Sequence, residues 1–162
     1  MIVGQWEVVV DSKGRVVIPS RMRDMLASSY SGELLYMALE LDGCLSIMPQ
    51  SVFQNYVDLF QSAPWTNEEA RFMKRFLCSN AQLCTFDPQG RMLIPASLRS
   101  KAGIKPGSEV VVVGNADRIE IWNKKRWNTY TRKGSKGRSV SEIMEHFRFR
   151  GYPDVPYTGN ER

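Results

Sequence analysis

Short runs of strand-type residues alternate with helical spacings along this chain, and the whole order plays out twice. Val8, Val9 and Val10, then Val16, Val17 and Ile18, flank a polar stretch. Met22, Met25 and Leu26 follow at the spacing of one helix face. An apolar stretch over residues 33–41, a turn at Asp42-Gly43-Cys44 and the alternating Leu45-Ser46-Ile47 come next. The second pass opens with Cys84, Thr85 and Phe86, then Met92, Leu93 and Ile94. Leu98 and Ala102 sit at helical spacing before Gly103. Residues 109–113, a turn at Asn115-Ala116-Asp117-Arg118 and the alternating Ile119-Glu120-Ile121 complete it. Turn formers between β-branched runs predict hairpins. Each pass predicts strand, turn, strand, short helix, strand, turn, strand and a longer helix.

The two passes are copies of one unit. Asp11, Gly14, Arg15, Ile18, Pro19 and Arg23 recur 76 positions later as Asp87, Gly90, Arg91, Ile94, Pro95 and Arg99. Leu45, Ile47 and Phe53 match Ile119, Ile121 and Trp127 at an offset of 74, so the first copy carries two more residues in between. Self-similarity decides the architecture before any single element does. Each copy alone is marginal for an independent core, which predicts that the halves pack together.

The D-x-x-G-R segment predicts a tight turn. The carboxylates of Asp11 and Asp87 can accept from amides just ahead, and Gly14 and Gly90 tolerate positive φ. Pro88 stands where a type I turn favours proline. Pro19 and Pro95 suit the first helical position. Arg15 and Arg91 could be solvated decoration. Turn geometry requires the glycine and not an arginine after it, so its repetition points to a function.

Between the copies, residues 50–80 predict a helical pair. Phe53, Tyr56, Val57 and Phe60 form one stripe; Ala70, Met73 and Leu77, beside Phe72 and Phe76, form others. Thr66-Asn67-Glu68-Glu69 is expected to be a capping box. Residues 132–138 read as a flexible basic linker. Ser139-Val140-Ser141-Glu142 opens a last helix with Ile143, Met144 and Phe147, and residues 151–162 are expected to be poorly ordered.

Composition narrows the class. The 162 residues are 43% apolar, carry a net charge of +5 and have a pI near 9.2. Lys13, Arg15, Arg21 and Arg23 form an acid-free cluster, as do Arg91, Arg99, Lys101 and Lys105. Both clusters coincide with the repeated motif, which points to an anionic partner. Cys44, Cys78 and Cys84 sit inside apolar stretches and read as small buried thiols of a reducing compartment. His146 is the one histidine, and no Cys/His spacing suggests zinc. There is no phosphate loop, dinucleotide fingerprint or nucleophile elbow. Asp11 and Asp87, each near a turn glycine, read as turn caps rather than catalytic carboxylates. A soluble intracellular protein that is not an enzyme and needs no cofactor is expected, with no membrane partner.

Gly4-Gln5-Trp6 followed by Asp11-Ser12-Lys13-Gly14-Arg15-Val16-Val17-Ile18-Pro19 closely resembles the start of MraZ proteins. The second D-x-x-G-R, over residues 87–91, sits where that family has its own second copy. The resemblance covers roughly residues 1–130. It implies a bacterial transcription regulator of α+β, mainly β class: a duplicated AbrB-like swapped hairpin, or double-split β-barrel, with peripheral helices. The expected division is 1–80 for the first repeat with the helical pair, 81–131 for the second, and 132–162 for the linker, helix and tail.

The resemblance also implies cytoplasmic, nucleoid-associated, ring-like homo-oligomers. These would bind promoter direct repeats in double-stranded DNA upstream of the division and cell-wall gene cluster. Arg15 and Arg91 would read DNA, with Lys13, Arg21, Arg23, Arg99 and Lys101 nearby. Gln89 stands where the first copy has Lys13; it can still hydrogen-bond but adds no charge. The competing expectation is a protein-interaction module of antitoxin type, since AbrB-like barrels also grip partner proteins.

Overall fold

Strands of one copy pair with strands of the other. A computed structural model of the chain describes residues 1–149; the expectations for 151–162 lie outside them. Each copy contributes the elements its pattern predicts. The first runs β1 (Gln5–Val9), β2 (Arg15–Val17), α1 (Ser20–Ser29), β3 (Leu35–Leu39), β4 (Leu45–Pro49) and α2 (Gln50–Gln61). α3 (Glu68–Ser79) intervenes. The second runs β5 (Ala81–Cys84), β6 (Arg91–Leu93), α4 (Ala96–Ala102), β7 (Glu109–Asn115), β8 (Arg118–Asn123) and α5 (Lys124–Lys133). α6 (Val140–Phe149) is the last described element.

One open antiparallel sheet has the order β1-β7-β8-β4-β3-β5, and β2 and β6 form a separate two-stranded ribbon. Replacing every strand by its counterpart in the other copy returns the same order reversed. The registers agree. Val16 lies opposite Met92, its own repeat mate, and Ser46 lies opposite its mate Glu120. The middle of each ladder is therefore a local two-fold relation. Met37 and Val112 occupy matching places opposite Ile47 and Ile121. One extra residue of the first copy thus precedes β3, and the other lies in the β3–β4 turn.

The hairpins expected at the later turns form as β3–β4 and β7–β8, while those expected at the D-x-x-G-R turns are only half present. Their turns close, with Asp11 N donating to Arg15 O at 2.9 Å and Asp87 N to Arg91 O at 2.9 Å. The flanking strands then separate. β1 ladders with β7 and β2 with β6, while β5 ladders with β3. A longer ladder against the other copy replaces the local one.

Met1–Lys124 forms one compact unit, and the chain from Lys125 forms a second. The core of the first draws on repeat mates from both copies: Val16 and Met92, Ile18 and Ile94, Met22 and Leu98, Leu45 and Ile119, Ile47 and Ile121. Each side chain so buried contributes about 1.5–3 kcal/mol by removal from water. Helical residues outnumber strand residues, so the chain is mixed α and β, with the strands lining this core.

Several local expectations are corrected. Pro19 and Pro95 are N-cap residues, one place before the first helical residue. α3 is capped by Asn67, whose Oδ1 accepts from Ala70 N at 2.9 Å, rather than by a Thr66–Glu69 box. Asparagine is among the strongest caps, and its use shortens the helix by one residue. Arg132 and Lys133 belong to α5, not to a linker. Cys44 is buried and Cys84 half-buried, with burial raising the Cys84 thiol to about 12, but Cys78 on α3 is exposed. Ser139 and Glu142 do form a reciprocal capping box at α6. The helical pair packs through Val52 and a Tyr36–Phe53 stack at 5.0 Å. Leu59, Trp65 and Phe72 remain exposed there.

Among the described residues no helix is long and apolar enough to cross a membrane.

Candidate nucleic-acid interface

Both D-x-x-G-R segments fold into the same hydrogen-bonded turn. Asp11 Oδ1 accepts from the amides of Lys13 and Arg15, each at 2.9 Å, and Oδ2 accepts from Arg15 Nε at 2.6 Å. Asp87 Oδ1 accepts from the amides of Gln89 at 3.0 Å and Arg91 at 2.8 Å, and Oδ2 from Arg91 Nε at 2.7 Å. Gly14 and Gly90 take φ of +80° and +74°, as a left-handed turn position requires. The arginine is therefore part of the turn. Its amide and its Nε both satisfy the aspartate, which corrects the expectation that turn geometry has no use for it.

These contacts govern the carboxylates. The Arg15 amide is the main influence holding Asp11 below the usual carboxylate range. At Asp87 desolvation pushes upward, and the Arg91 amide and guanidinium outweigh it.

The two turns meet through the other copy's short helix. Arg23 Nε donates to Ile18 O and Arg99 Nε to Ile94 O, each at 3.0 Å. The Arg23 guanidinium lies against Gly90, where an added Cβ would stand 2.5 Å from its Cζ. The Arg99 guanidinium lies against Gly14 in the same way, at 2.8 Å. Ile18 N donates to Gly90 O at 3.1 Å and Ile94 N to Gly14 O at 3.0 Å. Arg23 and Arg99 are thus half-buried struts that knit the turns together.

The β2–β6 ribbon has a buried face and an outward one. Val16 and Met92 point inward. Arg15 lies opposite Leu93 and Val17 opposite Arg91 on the outward side. Val17 and Leu93 are 47% and 57% exposed, too much for core residues. Diagonal neighbours on one sheet face have Cβ atoms roughly 7–8 Å apart, so the two arginines share one small patch. Lys13, Arg21 and Gln89 are exposed, whereas Lys101 donates to Asn80 Oδ1. The sequence reading missed Val17 and Leu93. The period of two along Arg15-Val16-Val17 carried the signal, since an outward arginine implies an outward residue two places on.

A family model described as "MraZ protein, putative antitoxin-like" matches residues 1–76 and again 77–145. The chain belongs to the MraZ family. Curated relatives called "Transcriptional regulator MraZ" span nearly their full length with it. The protein of Lachnoclostridium phytofermentans is 37% identical over 148 residues, 90% of this chain and 94% of the relative. That of Caldanaerobacter subterraneus subsp. tengcongensis is 38% identical over 146 residues, 90% and 96% of the two chains. That of Moorella thermoacetica is 38% identical over 148, covering 91% and 99%.

Within this MraZ frame the two arms are chemically unequal. Arg91 Nη2 donates to Gln89 Oε1 at 3.1 Å in addition to its bond to Asp87. In the first arm a lysine occupies that place and offers Arg15 no acceptor. The first arm therefore carries more charge and fewer restraints on its guanidinium.

Proposed function

We propose that this protein is a sequence-specific, DNA-binding transcriptional regulator, with the outward face of the β2–β6 ribbon as its reading surface. The observation that carries this is the convergence of both D-x-x-G-R turns on one ribbon, with Arg15 and Arg91 on its exposed side. The name shared by its relatives supports the same reading. A two-stranded ribbon fits the major groove, and an arginine can bond guanine N7 and O6 bidentately. Because Nε is occupied by the aspartate, the guanidinium is already aimed before DNA arrives, which reduces the ordering cost of binding.

The proposal extends to the scale of the promoter. The exchange of strands between copies suits the AbrB-like swapped-hairpin fold, read with repeats at 1–80 and 81–131. Exposed Leu59, Trp65 and Phe72 suit burial between copies of the chain in a ring-like homo-oligomer. Such an assembly would engage direct repeats upstream of the division and cell-wall gene cluster, in the cytoplasm on the nucleoid. Its role is regulatory rather than catalytic.

The test is a shift assay with the DNA upstream of the gene against a scrambled duplex. Arg15→Ala is expected to lose about 1–3 kcal/mol of discrimination between them. Arg15→Ala that keeps the parent's preference would remove this reading. A second reading, an antitoxin-type grip on a protein partner, draws on the family description and on the apolar Val17 and Leu93 in the patch. It predicts no preference for the upstream duplex unless that partner is added.

A further inference from the structure

The net positive charge of this protein does not come from the part of the chain that carries its repeated motif. Residues 1–123 hold 12 Lys and Arg against 13 Asp and Glu. Residues 124–138 hold seven Lys and Arg and no acid at all. A near-neutral ribbon-bearing segment is followed by a short stretch that supplies more than the whole net charge of +5.

That stretch holds α5 and the 3-10 turn Ser135–Gly137, which carry six of the seven cations. Lys124 is engaged inside the first unit, its Nζ donating to Glu7 at 2.8 Å and Glu109 at 3.2 Å. Lys125, Arg126, Arg132, Lys133 and Lys136 are exposed. Lys125 and Arg132 are seven residues apart, as are Arg126 and Lys133. Seven residues are close to two helical turns, so these four form two lines about 100° apart over roughly 10 Å. Trp127 and Tyr130 stack on the same helix at 6.2 Å.

This layout works against the helix. Lys125 and Arg126 in its first turn oppose the macrodipole, and the helix itself carries no acid to offset them. Surfaces that serve only solubility intersperse both signs. A concentrated field of one sign attracts polyanions instead. The apolar side chains of α5 are Trp127 and Tyr130, too few for the broad apolar face by which basic helices enter a lipid surface.

We propose that α5 and the turn after it form a second nucleic-acid contact, binding phosphates of duplex DNA without reading its sequence. This rests on the DNA-binding reading above and divides the labour: the ribbon selects, and α5 supplies attraction that residues 1–123 lack.

The test uses the full chain with Lys125→Gln, Arg132→Gln, Lys133→Gln and Lys136→Gln combined; glutamine keeps helix propensity. Fluorescence anisotropy would follow the upstream duplex and a scrambled duplex of equal length over a range of salt. Affinity for both is expected to fall by a common factor, leaving their ratio unchanged. The log–log salt slope should become shallower by up to about 3–4, near 0.9 per lost contact. A counterpart with Lys125→Arg, Lys133→Arg and Lys136→Arg should keep the parent slope, separating charge from folding. Unchanged affinity and slope in the glutamine variant would overturn the proposal, as would a loss confined to the upstream duplex. So would intact DNA binding with lost adhesion to phosphatidylserine vesicles, which would assign the helix to a membrane. A parent that binds both duplexes equally, with a steep salt response lost in the glutamine variant, would sink the ribbon's reading role and leave this inference standing. A parent that binds neither removes both.

Discussion

At the scale of residues, one aspartate and one arginine make each turn a single unit. Asp11 and Asp87 each accept three donors from within five residues of chain. Both carboxyls are held below their ordinary range. A group whose folded value is depressed contributes stability that is present above the unfolded value, about 3.9 for aspartate. That contribution is lost as pH falls through the folded value. The turns are therefore expected to stay closed across the neutral range and to open only in acid. Carboxyl titration by NMR should give both aspartates midpoints below 3.9, with the amide shifts of Arg15 and Arg91 moving in step. Midpoints at or above the ordinary aspartate value would mean that the turn bonds do not hold in solution.

At the scale of elements, the two glycines report on contacts between copies. Gly90→Val places a β-branched residue at positive φ, at about 1–2 kcal/mol, and drives its side chain into Arg23. A melting temperature lowered by several degrees, with binding lost in parallel, is the expected result. Gly90→Ala should recover part of its loss when combined with Arg23→Ala, because the clash goes and the backbone strain stays. Purely additive losses would show that Arg23 does not rest on this turn. The glycines were legible in the sequence because few residues tolerate that φ. The strand–turn–strand–helix order was legible too, from Val8, Val9 and Val10 through Met22 and Leu26. The partners of the strands were not. Alternation tells which face of β1 is buried, but not that Val113 rather than a neighbour in its own copy lies opposite Gln5. The same limit hid the site. Arg15 could be placed after its glycine by pattern, whereas Leu93 across from it comes from 78 residues away. Charge misled differently: four cations around each motif drew attention from the 13 acids of residues 1–123, which outnumber all 12 cations there.

At the scale of the molecule, the helical pair leaves apolar surface that the first unit does not cover. Leu59, Trp65 and Phe72 are each more than 60% exposed, and Trp65 reaches 85%. Patches of such residues mark contacts with other molecules. A homo-oligomer larger than a dimer is the expected result, measured by light scattering at micromolar concentration. Trp65→Ser with Phe72→Ser should shift the mass downward without melting the core, since neither belongs to it. A parent of monomer mass would show that these residues serve something else.

The reversed-same strand order has a consequence for direction. Two separate identical chains folded this way would show the same arm on either side of their axis, and turning the pair around would change nothing. Here both arms belong to one covalent chain, and they differ: lysine beside the arginine on one side, glutamine on the other. The ribbon has acquired a head and a tail. A half-turn about its axis no longer restores it, and any long object laid across it can be told left from right.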